Sequence, residues 1–317
     1  MRVTPFSVIQ GGLQAEGRWT AELRHPSSLR EEEIAAWRDL LPRALGRSVF
    51  AEPDFVLTMA QHCADGRRLA VLLVRRNAAD GTPVLHGVFP LHLPGGLRPG
   101  RTAALWSVPF AGAPEPVIDA GQAPGVLRAA LDHLVVCGLR IDALRMAGLA
   151  PAGPLTDALR DVVAGTGRRL TIRPRAAAGP GPKPLPALPR ARTSLERVRA
   201  LRPVRDAVEH FLVLEAARAT GSLLDDAAAV TALRVVTRRF AARRQCGVDL
   251  VRRDGEVIAA AIRLGPAGED RIWREAGHAL SAQSGPAPAI LTLEAVIGLR
   301  PARGAAEPPR ARRASAS

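Results

Sequence analysis

The sequence predicts an α/β protein made of two tandem units, each a mixed central sheet flanked by helices, with the second unit incomplete. Segments with strand-like apolar runs alternate with segments of helical periodicity, the pattern of layered α/β units. Their order over residues 18–173 is strand, helix, helix, three strands, helix, strand, helix, strand. Over residues 206–298 it begins again as helix, helix, three strands, helix, and then stops. Between the two runs, residues 175–189 hold five prolines and two glycines without apolar periodicity, which reads as a stiff linker. The expected division is 1–175, a linker over 176–192, a second unit over 193–299, and a disordered Pro/Arg/Ala tail over 300–317.

Each element has its own signal. Ser28 and Glu31 have capping-box spacing, and Glu31, Glu32 and Glu33 complement the dipole of the helix that follows. Ile34, Trp37, Leu41 and Leu45 form its apolar stripe, which Pro42 should break near Leu41. Pro53 suits the first turn of a second helix over 53–63. The apolar run 69–74 predicts a strand covered on both faces. Turn chemistry at 77–81 leads to a strand over 84–91, and a third strand spans 102–108. A helix over 124–137 closes at Gly138. A strand over 141–146, a helix over 155–163 and a strand over 170–173 complete the first unit.

In the second unit, Val208, Phe211, Leu212 and Glu215 lie on a helix over 206–219. Asp225 or Asp226 caps the next helix, where Val230, Leu233, Val236 and Phe240 keep helical spacing beside an arginine-rich face. Asp254-Gly255 turns a hairpin between strands 248–251 and 256–264, and a third strand covers 271–275. A last helix is expected over 290–297.

Composition excludes several classes. The 317 residues suffice for two cores, and 47% hydrophobic with 23% charged residues is ordinary for a globular protein. No apolar run approaches the ~20 residues of a membrane helix, and the first twelve lack a secretion-signal centre, so cytoplasmic residence is the default expectation. The net charge of +14 invites a nucleic-acid partner. Against it, Lys183 is the only lysine among 44 basic residues and aromatics are few, which fits coding bias better than a phosphate-binding surface. Cys63, Cys137 and Cys246 are widely spaced, and His62, His86 and His92 have no acidic residue at ligand spacing, so no metal is expected. Neither a Gly-x-Ser-x-Gly elbow nor a Walker loop is present.

Residues 33–91, with Trp37, Phe50, the run 69–74 and Gly87-Val-Phe-Pro-Leu91, resemble the first half of CelD-type acetyltransferases, FemAB-like members of the GNAT superfamily. Glu115-Pro-Val-Ile-Asp119 and Ile141-Asp-Ala-Leu144 are similar to that family's mid-region. Val208-Glu-His-Phe-Leu-Val-Leu-Glu215, residues 247–264 and Trp273 resemble its second half. The resemblance implies two tandem GNAT-like (acyl-CoA N-acyltransferase) domains. It also implies acyl transfer from acetyl-CoA to an amine, in some relatives on a saccharide of a cellulose or exopolysaccharide pathway. Two departures stand out. Arg218-Ala-Thr-Gly221 replaces the family's aromatic-lysine pair, and residues 300–317 replace its closing strand, helix and strand, as truncation or frameshift would produce.

Site residues follow from the resemblance. Glu215 is the implied catalytic base, with Glu275 as second choice; the competing reading of Glu215 is a solvated helix carboxylate. Trp273 reads as core or as a ligand platform. Backbone groups of Ala259, Ala260, Ala261 and Ile262, with the loop of Ser284, Gly285 and Ala287, are the implied acetyl-CoA contacts. Gln122-Ala-Pro-Gly125 and Ala282-Gln-Ser-Gly285 each half-match a pyrophosphate cradle before a helix, and each also reads as an ordinary glycine turn. The alternatives are a non-catalytic interaction module and an RNA-associated basic protein.

Overall fold

The computed structural model describes residues 17–46, 48–62, 68–95, 101–106, 115–175, 193–217, 222–277 and 292–301. The order expected for the first unit is realised. Strand β1 (Trp19–Arg24) is followed by helices α1 (Glu31–Leu40) and α2 (Pro53–His62) and strands β2 (Leu69–Asn77), β3 (Pro83–His92) and β4 (Thr102–Leu105). A two-residue strand β5 (Val117–Ile118) precedes α3 (Ala123–Val136), β6 (Ala143–Leu149), α4 (Pro154–Thr166) and β7 (Arg168–Arg175). The second run holds β8 (Thr193–Val198), α5 (Leu201–Ala216), α6 (Ala227–Ala242), β9 (Cys246–Arg253), β10 (Glu256–Leu264), β11 (Arg271–Gly277) and β12 (Thr292–Pro301).

Two mixed-composition layers result. The larger sheet has the order β1-β2-β3-β4-β6-β12-β7, with β5 on β3; the smaller is β11-β10-β9-β8. Helices cover both faces of the larger sheet. Val71 and Leu73 of β2 face one apolar cluster with α1 and α2, while Leu72 and Val74 face the other with α3 and α4. That two-sided burial is why β2 reads as an unbroken apolar run.

Three sequence expectations are corrected. The segment 290–297 is not a helix: Thr292–Pro301 is strand β12, inserted between β6 and β7 and antiparallel to both. Leu293, Ala295, Ile297 and Leu299 are buried at alternate positions, so both ladders and a period of two decide its form. The last described strand of the chain therefore completes the sheet of residues 19–175. The second run opens with β8, an exposed edge strand whose polar sequence carries no alternation to read. Helix α1 is capped two residues later than expected: Arg30 N–H donates to Glu33 Oε2 at 3.0 Å, while Ser28 Oγ donates to the His25 carbonyl. As Pro42 requires, α1 gives way to a 3-10 turn at Leu41–Arg43.

One apolar cluster runs through both halves. Trp37, Phe55 and Met59 share it with Phe211, Leu233, Phe240, Ile262 and Trp273. Helix α2 packs on α6, and the Phe55 and Trp273 rings meet edge to face at 5.4 Å. Trp273 is thus a core residue, only 8% exposed. Each fully buried side chain of this kind contributes roughly 1.5–3 kcal/mol, so the halves are held by a core rather than by a surface contact.

Candidate functional site

Strands β4 and β6 are the one parallel pair among the described strands, joined through α3. They keep register only at Thr102↔Ala143, Ala103↔Leu144 and Ala104↔Arg145. Beyond that point each follows its outer neighbour. Leu105 stays opposite Leu91 of β3, and Trp106 N–H donates to the Pro90 carbonyl at 2.9 Å. Strand β6 instead follows β12 as far as Leu149 opposite Leu293. The β4–β6 ladder ends there, and among the described residues the inner edge of β6 from Met146 to Leu149 has no strand partner. Such an edge offers N–H and C=O groups to an extended ligand.

A cavity of about 160 Å³ adjoins the end of β6, lined by Leu45, Glu115, Ile118, Leu149 and the first turn of α4 at Pro154–Thr156. Burial pushes the Glu115 carboxyl above the ordinary range, and Arg271 of β11 offsets this only in part. Gly46 makes that carboxylate's position possible: a Cβ there would lie 2.2 Å from Glu115 Oε2. Next to the cavity, Asp119 accepts from Arg43 Nε at 2.8 Å and from Gly121 N–H at 3.1 Å, and His86 Nδ1 stands 2.9 Å away. Burial alone would raise Asp119; the contacts from His86, Arg43 and Gly121 outweigh it and hold the carboxyl below its usual value. Its negative charge is therefore locally compensated.

The expected site residues do not converge. Glu215 is fully buried, with its Oε2 accepting from Leu223 N–H at 3.1 Å and lying 3.3 Å from Arg274 Nη2. It ties α5 to β11 and is not a solvated carboxylate. Arg274 is opposite Ile262, which faces the shared core, whereas Glu275 is opposite Ala261, a neighbour of Asp249. Glu215 and Glu275 consequently lie on opposite faces of the smaller sheet. Burial raises the Glu275 carboxyl, with partial offset from Arg263. Ala259, Ala260, Ala261 and Ile262 are paired with β9 on one side and β11 on the other. Main-chain contacts to a ligand there would require one ladder to open. Ser284, Gly285 and Ala287 lie outside the described residues.

At the first turn of α3, Trp19 packs against Gly125. A Cβ at Gly125 would be 2.4 Å from Trp19 Cζ2, so this glycine admits an indole. Gln122 Oε1 accepts from Arg76 Nη1 at 3.0 Å. In the sequence Glu115 stands out only within a family-like patch, and Gly46 carries no signal of its own. The usable signal was an acidic residue just ahead of a two-residue apolar strand, but the glycine that faces it is far away in sequence. Among the described residues no group of three or more His, Cys, Asp or Glu is placed to hold a metal, and no helix is long and apolar enough to cross a membrane.

No protein-family model and no curated protein matches the sequence. Solved structures do resemble the fold. A tandem GNAT protein from the clavulanic acid biosynthesis pathway is 17% identical, with 82% of this chain and 79% of that one covered at a TM-score of 0.38. A conserved protein of unknown function from Bacteroides thetaiotaomicron is 11% identical over 84% and 97%, at 0.42. A C-terminal DUF2156 domain from Agrobacterium fabrum, of a protein named a putative lysylphosphatidylglycerol synthetase, is 13% identical over 79% and 69%, at 0.39. At these scores no argument about function rests on the likeness.

Proposed function

We propose that the chain is a GNAT-like N-acyltransferase whose acyl donor, acetyl-CoA, lays its pantetheine arm along the inner edge of β6. The observation that carries this reading is the end of the β4–β6 ladder after three paired residues, with the inner edge of β6 unpaired beyond it among the described residues. An unpaired edge supplies main-chain partners for an amide-bearing arm without disturbing either outer ladder. The cleft thereby belongs to the first half of the chain, not to β10.

The acceptor is an amine, and a saccharide amine is the class the sequence resemblance favours. Its nitrogen attacks the thioester carbonyl, forming the amide bond as the carbon–sulfur bond breaks and the CoA thiol leaves. The ammonium form must first lose a proton. Glu115 is suited to take it, because burial raises its affinity for protons. Glu215, fully buried against Arg274, acts as a structural anchor.

One observation favours a second reading, a GNAT-like module without a working cofactor site: Trp19 packs over Gly125 in the first turn of α3, the half-match to a pyrophosphate cradle. Thermal unfolding with and without acetyl-CoA separates the two. A ligand at 100 times its dissociation constant stabilises by about 2.7 kcal/mol. The enzyme reading expects that shift in both wild type and Glu115→Gln, with turnover of amine acceptors reduced roughly 10²–10⁴-fold in the variant. Absence of any shift in the wild type leaves the non-catalytic module.

A further inference from the structure

A larger cavity, about 520 Å³, lies where the two halves meet. Its walls come from the turn at His25–Ser27, from α1 and α2, and from Arg239 on α6. That size suits a small organic molecule, and the lining is mixed in the way such sites usually are. Ile34, Leu57 and Ala60 supply an apolar wall; Arg38, Gln61 and Arg239 supply donors.

The charges are unevenly matched. Glu31 lies 3.2 Å from Arg38, and Asp54 is shared between Arg38 at 3.3 Å and Arg243 at 3.1 Å. Glu52, just behind, is taken by Arg243 at 2.6 Å. Every carboxylate of the neighbourhood is thus engaged by Arg38 or Arg243. Arg239 is left over: its Nη1 donates to Thr58 Oγ1 at 2.9 Å, and among the described residues no carboxylate reaches its guanidinium. Thr58 is fully buried and donates its own proton to the Asp54 carbonyl at 2.6 Å, which fixes its lone pairs toward Arg239. The arginine is therefore anchored at one nitrogen, with its remaining donors available at a cavity that has an apolar side.

We propose that this cavity binds a small amphipathic oxyanion, a carboxylate or phosphate monoester with an apolar body, through Arg239. Guanidinium groups pair with either oxyanion through charge-assisted, bidentate hydrogen bonds. Ile34, Leu57 and Ala60 would cover the apolar body. Because the walls come from both halves, occupancy also links α2 to α6. The site is separate from the inner edge of β6, so it stands or falls independently of the acyltransferase reading.

Isothermal titration of the full chain at low salt tests it with three probes of similar shape: 3-phenylpropionate, phenyl phosphate and the neutral 3-phenylpropan-1-ol. Saturable binding of at least one anion, and none of the alcohol at the same concentrations, is expected; whichever anion binds more tightly identifies the headgroup. Arg239→Gln, an exposed helix position whose folding is checked by circular dichroism, should weaken the anion about tenfold or more. Failure of both anions to bind, equal binding of the alcohol, or unchanged affinity in Arg239→Gln overturns the proposal.

Discussion

Truncating Ile297 and Leu299 to alanine tests the placement of β12 most directly. Both side chains are fully buried in the cluster beneath α3 and α4, and Ile297 lies between Leu144 of β6 and Leu170 of β7. Each substitution deletes buried methyl groups and leaves a cavity in a sheet clamped on both sides, at a cost of about 2–5 kcal/mol. Val296, on the other face and only half-buried, should lose about 1 kcal/mol when cut to alanine. Urea unfolding followed by circular dichroism reads these differences from the midpoint at constant slope. A strand demands that the costs alternate, with 297 and 299 high and 296 low. A helix over 290–297 demands instead that Leu299, beyond its end, be cheap. A loss under about 1 kcal/mol in Leu299→Ala, beside a large loss in Ile297→Ala, would falsify the strand assignment and with it the closure of the first sheet.

Other expectations concern the candidate sites. Glu215→Ala removes one side of a fully buried ion pair and should cost about 3 kcal/mol or more in unfolding free energy, with any loss of activity following the unfolded fraction. A kinetic role would instead appear as lost turnover at unchanged stability. Gly46→Ala should displace the Glu115 carboxylate, so turnover falls while the melting temperature moves little; unchanged turnover counts against Glu115 as base. Asp119, whose folded-state pKa is depressed, contributes stability above its unfolded value of 3.8 that is lost as pH falls through the folded value. Asp119→Asn should flatten the acid limb of the stability profile, and an unaltered limb assigns that limb to other carboxylates.

The elements whose form depends on their own residues were readable. Helix α2 begins at the proline that signalled it, α1 breaks where Pro42 forbids continuation, and the unbroken run of β2 announced burial on two faces. Strand β12 was not. Leu293 and Ile297 are four apart and satisfy a helical stripe as well as alternate positions of a strand, so periodicity could not choose. Two neighbouring strands, one more than a hundred residues upstream in each case, made the choice by pairing with it. The surroundings of Glu215 were unreadable for a related reason. Glutamate on the α5 helix resembles a base in sequence, but burial against Arg274 turned it into a tie between α5 and β11.

By itself the chain determined its α/β class and the order of elements in its first half, because alternation, helical spacing, caps and turn residues act over a few neighbours and need no partner. Only the tertiary structure decided where the β4–β6 ladder ends, that Gly46 makes room for Glu115, and that Arg239 meets α2 across the two halves. Those contacts join residues tens to more than a hundred positions apart, and pairing, close approach and burial are properties of the packed chain that no local pattern of residues encodes.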